Sequence, residues 1–268
     1  MVAWRPWPGA VVGVLLLVGC TGGTPEPGPT GSRKASPTPV APAPAPSPSD
    51  SPYTVTEDHA PRTRAEAAAF VQELGVRADH FGAGFRERPP LDSRTDTWAV
   101  LGEDCVWRRE PLPGTALAGL TRRFELPADG GKGPVHVSLT VTVHRDTTAA
   151  RRDMAVSLEE ALRCPEQRLN ATDRVRGLYS RADEFTDGRN SIADDNLVES
   201  GEYFVDGDDT ALPFDWFKYR LGPVTVAATG RIGAGRNEEE TTAVSQDVAK
   251  GVGFTAAEVD RLAKEGAR

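Results

Sequence analysis

The side chains in this sequence that could do chemistry are four histidines, an acid-rich stretch, a run of aromatic and cationic residues, and three cysteines. His136 and His144 fall in an alternating segment and, in a strand, would sit about 27 Å apart, too far to share one metal. His59 and His80 lie apart from both, so no His/Cys grouping has zinc-ligand spacing. A Gly-x-Ser-x-Gly elbow and a Ser-x-x-Lys motif are both missing, which leaves nucleophilic catalysis without a footing. Acids crowd from Asp183 to Asp215, where Arg189 is the lone base. The order Asp206-Gly207-Asp208-Asp209 departs from a calcium loop, which needs alternating oxygen ligands, a central glycine and a late glutamate. Solvated acidic loops and a site for calcium or a cationic partner are both open readings. Asp194 with Glu199, or Asp208 with Asp215, would have to meet in a cleft to serve as the acid and base of a hydrolase. Gly230 to Gly235 lies where a phosphate cradle could stand, but its glycines are in the wrong order. Glu238, Glu239 and Glu240 would also repel an anion there, so the segment reads as a loose turn. Alternation puts Trp216, Lys218 and Arg220 on one face of a strand, a candidate ligand cleft. With Trp216, the neighbouring aromatics Tyr203, Phe204, Phe214, Phe217 and Tyr219 could line a cleft for an apolar or sugar ligand, although aromatics at strand spacing are more often core. No catalytic residue, cofactor or metal is assigned.

The cysteines speak to address. Ala10 to Gly19 is an apolar run after Arg5, too short for the roughly 20 residues of a bilayer span but suited to the core of a signal peptide. It ends Leu17-Val18-Gly19-Cys20, which is similar to the lipobox of bacterial lipoproteins. The resemblance implies acylation of the Cys20 sulfur and cleavage before it; the other reading is an unlipidated export signal. Cys105 and Cys164 are left as a pair, expected to form a disulfide outside the cytoplasm. Closing a loop of about 60 residues would stabilise the fold by roughly 4 kcal/mol in the chain-entropy model. A redox-active dithiol is the rival, without Cys-x-x-Cys spacing to support it.

These side chains need elements to hold them. Val135 to His144 alternates apolar and polar at every step, the period of a strand with one wet face. Leu120, Phe124 and Leu126 mark a partner strand, with Asp129-Gly130-Gly131 as the turn. A helix follows, capped by Asp146 or Thr147, with Ala150, Met154, Leu158 and Leu162 as its apolar stripe. Earlier, Thr63 and Glu66 make a capping box that opens a helix whose stripe runs from Ala67 to Phe81. Trp98 to Leu101 and Cys105 to Arg109 are short strand candidates. Strands are expected over Val175–Ser180, Glu202–Val205, Asp215–Leu221 and Val224–Thr229, with Ser191–Val198 either a short helix or an edge strand. Two helices close the chain, one led by Asn237 and one opened by a Thr255/Glu258 capping box. The class is α+β: a largely antiparallel twisted sheet flanked by helices, with one disulfide.

Three parts follow. Residues 1–19 form the signal peptide. Residues 20–55 are a lipidated, disordered Pro/Ala/Ser/Thr tether; its proline-rich 37–46 stretch favours an extended chain, and the roughly 32 residues from Thr21 to Pro52 together could reach on the order of 100 Å. Residues 56–268 form one domain large enough for a core. The formal net charge is −8. That disfavours nucleic acid, whose binding neutralises phosphates, and direct adhesion to anionic lipid. Membrane attachment is therefore expected through Cys20 alone, at the cell membrane and facing outward.

With that order of elements, the folded part resembles the PknH-like extracellular sensor domains of actinobacterial kinases and lipoproteins. The matching points are the opening amphipathic helix, Trp98 and Cys105 on early strands, and the valine-rich strand. The helix ending at Cys164 follows, then the late strand Val224-Thr225-Val226-Ala227 and a helix from Glu238 to Val252. The resemblance implies a ligand-sensing or interaction domain with a central antiparallel sheet, a cleft and disulfides. This chain offers one cysteine pair where the kinase domain has two, and it has no kinase domain. The expectation is a non-catalytic, membrane-anchored module that binds a small molecule, a cell-wall component or a protein. An envelope hydrolase using a carboxylate pair is the alternative.

Overall fold

A computed structural model of the protein describes residues 53–181 and 192–266. Among them an opening helix, α1 (Arg64–Glu73), leads into β1 (Arg86–Asp92), the hairpin β2 (Thr97–Leu101) and β3 (Trp107–Pro111), then β4 (Ala116–Leu126) and β5 (Val135–His144). Helix α2 (Thr147–Arg163) is followed by β6 (Glu166–Arg168), β7 (Asp173–Arg181), β8 (Asp195–Val205), β9 (Leu212–Leu221), β10 (Val224–Ile232) and the long α3 (Glu238–Gly266). Eight strands form one sheet in the order β1-β4-β5-β10-β9-β8-β7-β6, every pair antiparallel, while β2 and β3 pair only with each other. The fold is therefore α+β with a large antiparallel sheet and one disulfide, Cys105–Cys164, whose Cα atoms are 5.5 Å apart.

Strand alternation decides the two faces. Val135, Val137, Leu139, Val141 and Val143 of β5 turn to one side with Phe217, Tyr219 and Leu221 of β9 and Val224, Val226 and Ala228 of β10; all are buried. Helices α1 and α3 pack on this side and make the main apolar core. Val55 is part of it, so the folded chain is already underway at that residue. Gly230 lets α3 approach, because a Cβ there would stand 3.3 Å from Val248.

The helix boundaries hold three corrections. The Thr63/Glu66 capping box forms, but α1 ends at Glu73 rather than running to Phe81. Leu74 leaves the helical region before Gly75, and Arg122 of β4 donates to the Gln72 and Leu74 carbonyls that the helix end leaves open. A separate 3-10 turn, Ala78–Phe81, then sinks Phe81 into the core beside Phe124. At the other end of the chain there is one helix, not two. Asn237 and Glu240 form its cap, and Thr255 is fully buried inside it, its hydroxyl donating to the Gly251 carbonyl one turn back. The third correction is α2. Asp146 caps it as expected, but Leu158 is 45% and Leu162 85% exposed. Its inward face carries Ala150, Met154 and Ser157, with Asp153 beneath.

Candidate functional site

The reason for that rotation is the ground α2 stands on. The second sheet face presents His136, Ser138, Thr140, Thr142 and His144 from β5, Thr225, Thr229 and Arg231 from β10, and Trp216, Lys218 and Arg220 from β9. A leucine stripe laid on these groups would bury them without partners, at a cost of about 1–3 kcal/mol each. The helix instead turns polar groups inward. The Lys218 side chain is 8% exposed; its Nζ lies 2.8 Å from Asp153 Oδ2 and donates to Ser157 Oγ (2.9 Å) and the Asp153 carbonyl (3.2 Å), which uses all three of its protons. Asp153 also accepts from Thr225 Oγ1 at 3.2 Å and lies 3.4 Å from His144 Nε2. Burial pulls the Asp153 carboxyl upward, but Lys218 and His144 outweigh it and hold it well below the usual carboxylate range. Two glutamates border the cluster. Burial, with Asp153 and Glu199 nearby, pushes Glu160 up to about 7 against the pull of Lys218. Burial also raises Glu199, which accepts from Ser180 at 3.5 Å and whose Oε2 has no donor among the described residues.

Trp216, Lys218 and Arg220 thus share a face, as alternation requires, but two of the three are engaged in ion pairs. Arg220 is 3% exposed and bridges Asp194 (3.2 Å) and Asp195 (2.5 Å). Trp216 stands edge-on to Trp107, ring centres 6.1 Å apart, and Trp107 is fixed by a bond from its indole N–H to Gln167 Oε1. Asp194 also accepts from the Gly222 amide and Thr54, whereas Glu199 is sealed at the α2 side. Asp215 accepts from Ser200, while Asp208 accepts from the Thr210 amide in an exposed turn. In that turn Asp206 meets Arg168 and Asp209 meets Arg174, so two of its three acids face arginines. Residues 182–191, which hold Asp183, Arg189 and Ser191 from the acid-rich and strand readings, lie outside the described residues; so do Cys20, the leader and the tether up to residue 52. Among the described residues no group of three or more His, Cys, Asp or Glu side chains could hold a metal ion.

The end of this face near β10 is open. A hollow of about 540 Å³ is lined by Arg88, His136, Asp173, Tyr203, Leu212 and Arg231, among others. Arg231 is on the fourth strand of the sheet and pairs with Asp173 on the seventh. Strands about 4.8 Å apart would leave those two out of reach on a flat sheet, so the sheet curls around this face. The floor ends in the 230–235 glycine segment, which is not a loose turn. Gly233 N–H donates to the Pro134 carbonyl and Gly133 N–H to that of Ala234, and a Cβ on Gly233 would meet the Pro134 oxygen at 2.5 Å. A second hollow, about 510 Å³, lies by Thr54, Glu57, Arg151, Asp194 and Arg220.

Taken together, these features define a mixed α+β domain whose large sheet is apolar on one side, while the other carries hydroxyls and charges beside a smaller apolar cluster of Val175, Tyr203 and Phe214. No protein-family model matches the chain, and no curated protein matches it.

Proposed function

We propose that the protein is a lipid-anchored, extracytoplasmic module that binds an envelope component or small molecule on the polar face of its sheet, without catalysis. The anchor rests on Leu17-Val18-Gly19-Cys20 behind an apolar run, and on the proline-rich stretch that would hold the domain off the membrane. An outward-facing address agrees with the Cys105–Cys164 disulfide, since such bonds persist in oxidising compartments. A role like that of the PknH-like sensor domains is the nearest expectation from the order of elements.

The observation that carries the binding reading is the half-covered polar face. One end is closed by α2 and its Lys218–Asp153 pair, while the other is left as a hollow lined by arginines, a histidine and an aromatic wall. The hydrolase alternative gains no comparable support, because Asp194 is tied to Arg220 and Asp208 to its own turn. The test is fractionation of cells that make the Cys20→Ser variant, with mass spectrometry of the amino-terminal peptide. The expected outcome is release from membranes and loss of a lipid mass that the parent chain carries. Membrane retention with no lipid mass on the parent peptide would refute the anchor.

A further inference from the structure

We infer that the hollow at the β10 end of the sheet binds a small organic anion, its carboxylate or phosphate seated between the Arg231 guanidinium and His136 and its apolar part against Tyr203, Val205 and Leu212. This rests on the binding reading above and names its site and ligand class.

Arg231 and His136 are register partners on β10 and β5, so their side chains rise next to each other from one face. Arg231 is the stronger recruit. Its side chain is 13% exposed, its Nη1 donates to Asp173, and its other N–H groups meet no acceptor among the described residues. A buried guanidinium with donors left over is a fork for an oxyanion. Asp173 is the competing anion, and its capacity is largely taken. It accepts from Arg231 and Asn170 at Oδ2 and from Thr172 at Oδ1.

His136 lines the hollow, but its Nδ1 is sealed from solvent and makes no hydrogen bond, with Glu125 3.9 Å away. Nε2 is therefore the nitrogen left to the hollow. The charged groups facing this ring are Arg88 from β1, Glu125 from β4, Asp173 from β7 and Arg231 from β10. Burial, then the two arginines, lower the histidine's proton affinity, and Glu125 and Asp173 oppose them. Glu125 is itself held by Arg86 through two bonds of 2.9 and 2.7 Å. Arg88 lies 3.8 Å from Glu125 and also borders the hollow, so it adds positive charge at the mouth. An anion placed here would offset both arginines and raise the affinity of His136 for a proton, a linkage with a direct readout. The opposite wall is apolar, and Val205 is 39% exposed there, which favours an anion with a hydrocarbon or aromatic body over a bare ion.

The experiment is an NMR titration of the His136 ring in the oxidised mature chain carrying Cys20→Ser. The probes are benzoate, phenyl phosphate, inorganic phosphate and benzyl alcohol, each also followed by calorimetry. Benzoate or phenyl phosphate should raise the His136 pKa and bind saturably, and the response to each shows whether a carboxylate or a phosphate is preferred. Benzyl alcohol should do neither. Arg231→Gln should weaken binding at least about tenfold. If that variant unfolds, Arg88→Gln, whose side chain is more exposed, should still weaken binding severalfold and shrink the His136 shift. No saturable shift with either aromatic anion overturns the site. Equal responses to inorganic phosphate and phenyl phosphate overturn the role of the apolar wall. A co-purifying mass on envelope-derived protein that leaves His136 unmoved overturns this site while the binding reading stands.

Discussion

Replacing Lys218 by Met tests the physics of the polar face most directly. The stem keeps its length and its place under α2, while the ammonium and its three bonds to Asp153 and Ser157 are lost. Asp153 is left in a site 19% exposed, with only Thr225 and His144 to face it. Breaking a buried pair from one side costs about 3–5 kcal/mol. Some water reaches Asp153, so about 3 kcal/mol is expected. The sign with pH follows from the folded-state carboxyl, which Lys218 helps hold below its unfolded value of 3.8. A depressed carboxyl contributes stability above that value and loses it as pH falls through the folded one. The loss on mutation should therefore be full near neutral pH, still nearly full at about pH 4, and shrink only as pH falls below that. Adding Asp153→Asn should restore part of the stability, because the stranded charge goes with it. Urea unfolding of the four chains of this cycle, at about pH 7 and about pH 2.5, gives both numbers. A single variant within about 1 kcal/mol of the parent near pH 7, or a loss indifferent to pH, would refute the view that this pair holds α2 down.

Two further outcomes are expected. Glu160→Gln removes a carboxyl whose folded pKa is raised from 4.5 to about 7, so the parent loses stability as pH rises between those values. After discounting for water at this half-buried site, the variant should gain about 1–2 kcal/mol near pH 8 and nothing below about pH 4.5, as read by urea melts at each pH. Gly251→Ala puts a methyl 2.2 Å from the Phe81 ring in the middle of α3. Overpacking should outweigh the roughly 1 kcal/mol gain in helix propensity and lower the melting temperature, and a rise would show that Phe81 can yield.

Legibility tracked the polarity of the surroundings. The alternation of Val135–His144 reads off the chain because its valines face a dry core and its even residues do not, and the β9 alternation of Phe217, Tyr219 and Leu221 holds for the same reason. The α2 stripe misled because hydropathy assumes that a helix buries its leucines, and here the facing sheet demanded Asp153 and Ser157 instead. Thr255 has the composition of a cap but donates backward within a continuous helix, a choice made by burial against the sheet. Lys218 and Arg220 were visible as a cationic face. Their carboxylates, Asp153 on α2 and Asp194 before β8, come from distant segments, and no local pattern reports that meeting. The Arg231–Asp173 contact spans 58 residues and depends on the curl of the sheet, so the hollow it borders left no mark in either segment alone.

The disulfide has a mechanical consequence. It fastens the turn before β3 to the carboxyl end of α2, while the other end of the helix receives only the Glu57 carboxylate at the Thr147 amide and its own cap. Between its ends the helix is held by the Lys218–Asp153 pair and by the buried Ala150 and Met154. Cutting the sulfur tie would therefore loosen that end without releasing it, because Arg163 still donates to the Leu101 and Gly102 carbonyls and the Arg168 amide to that of Cys105.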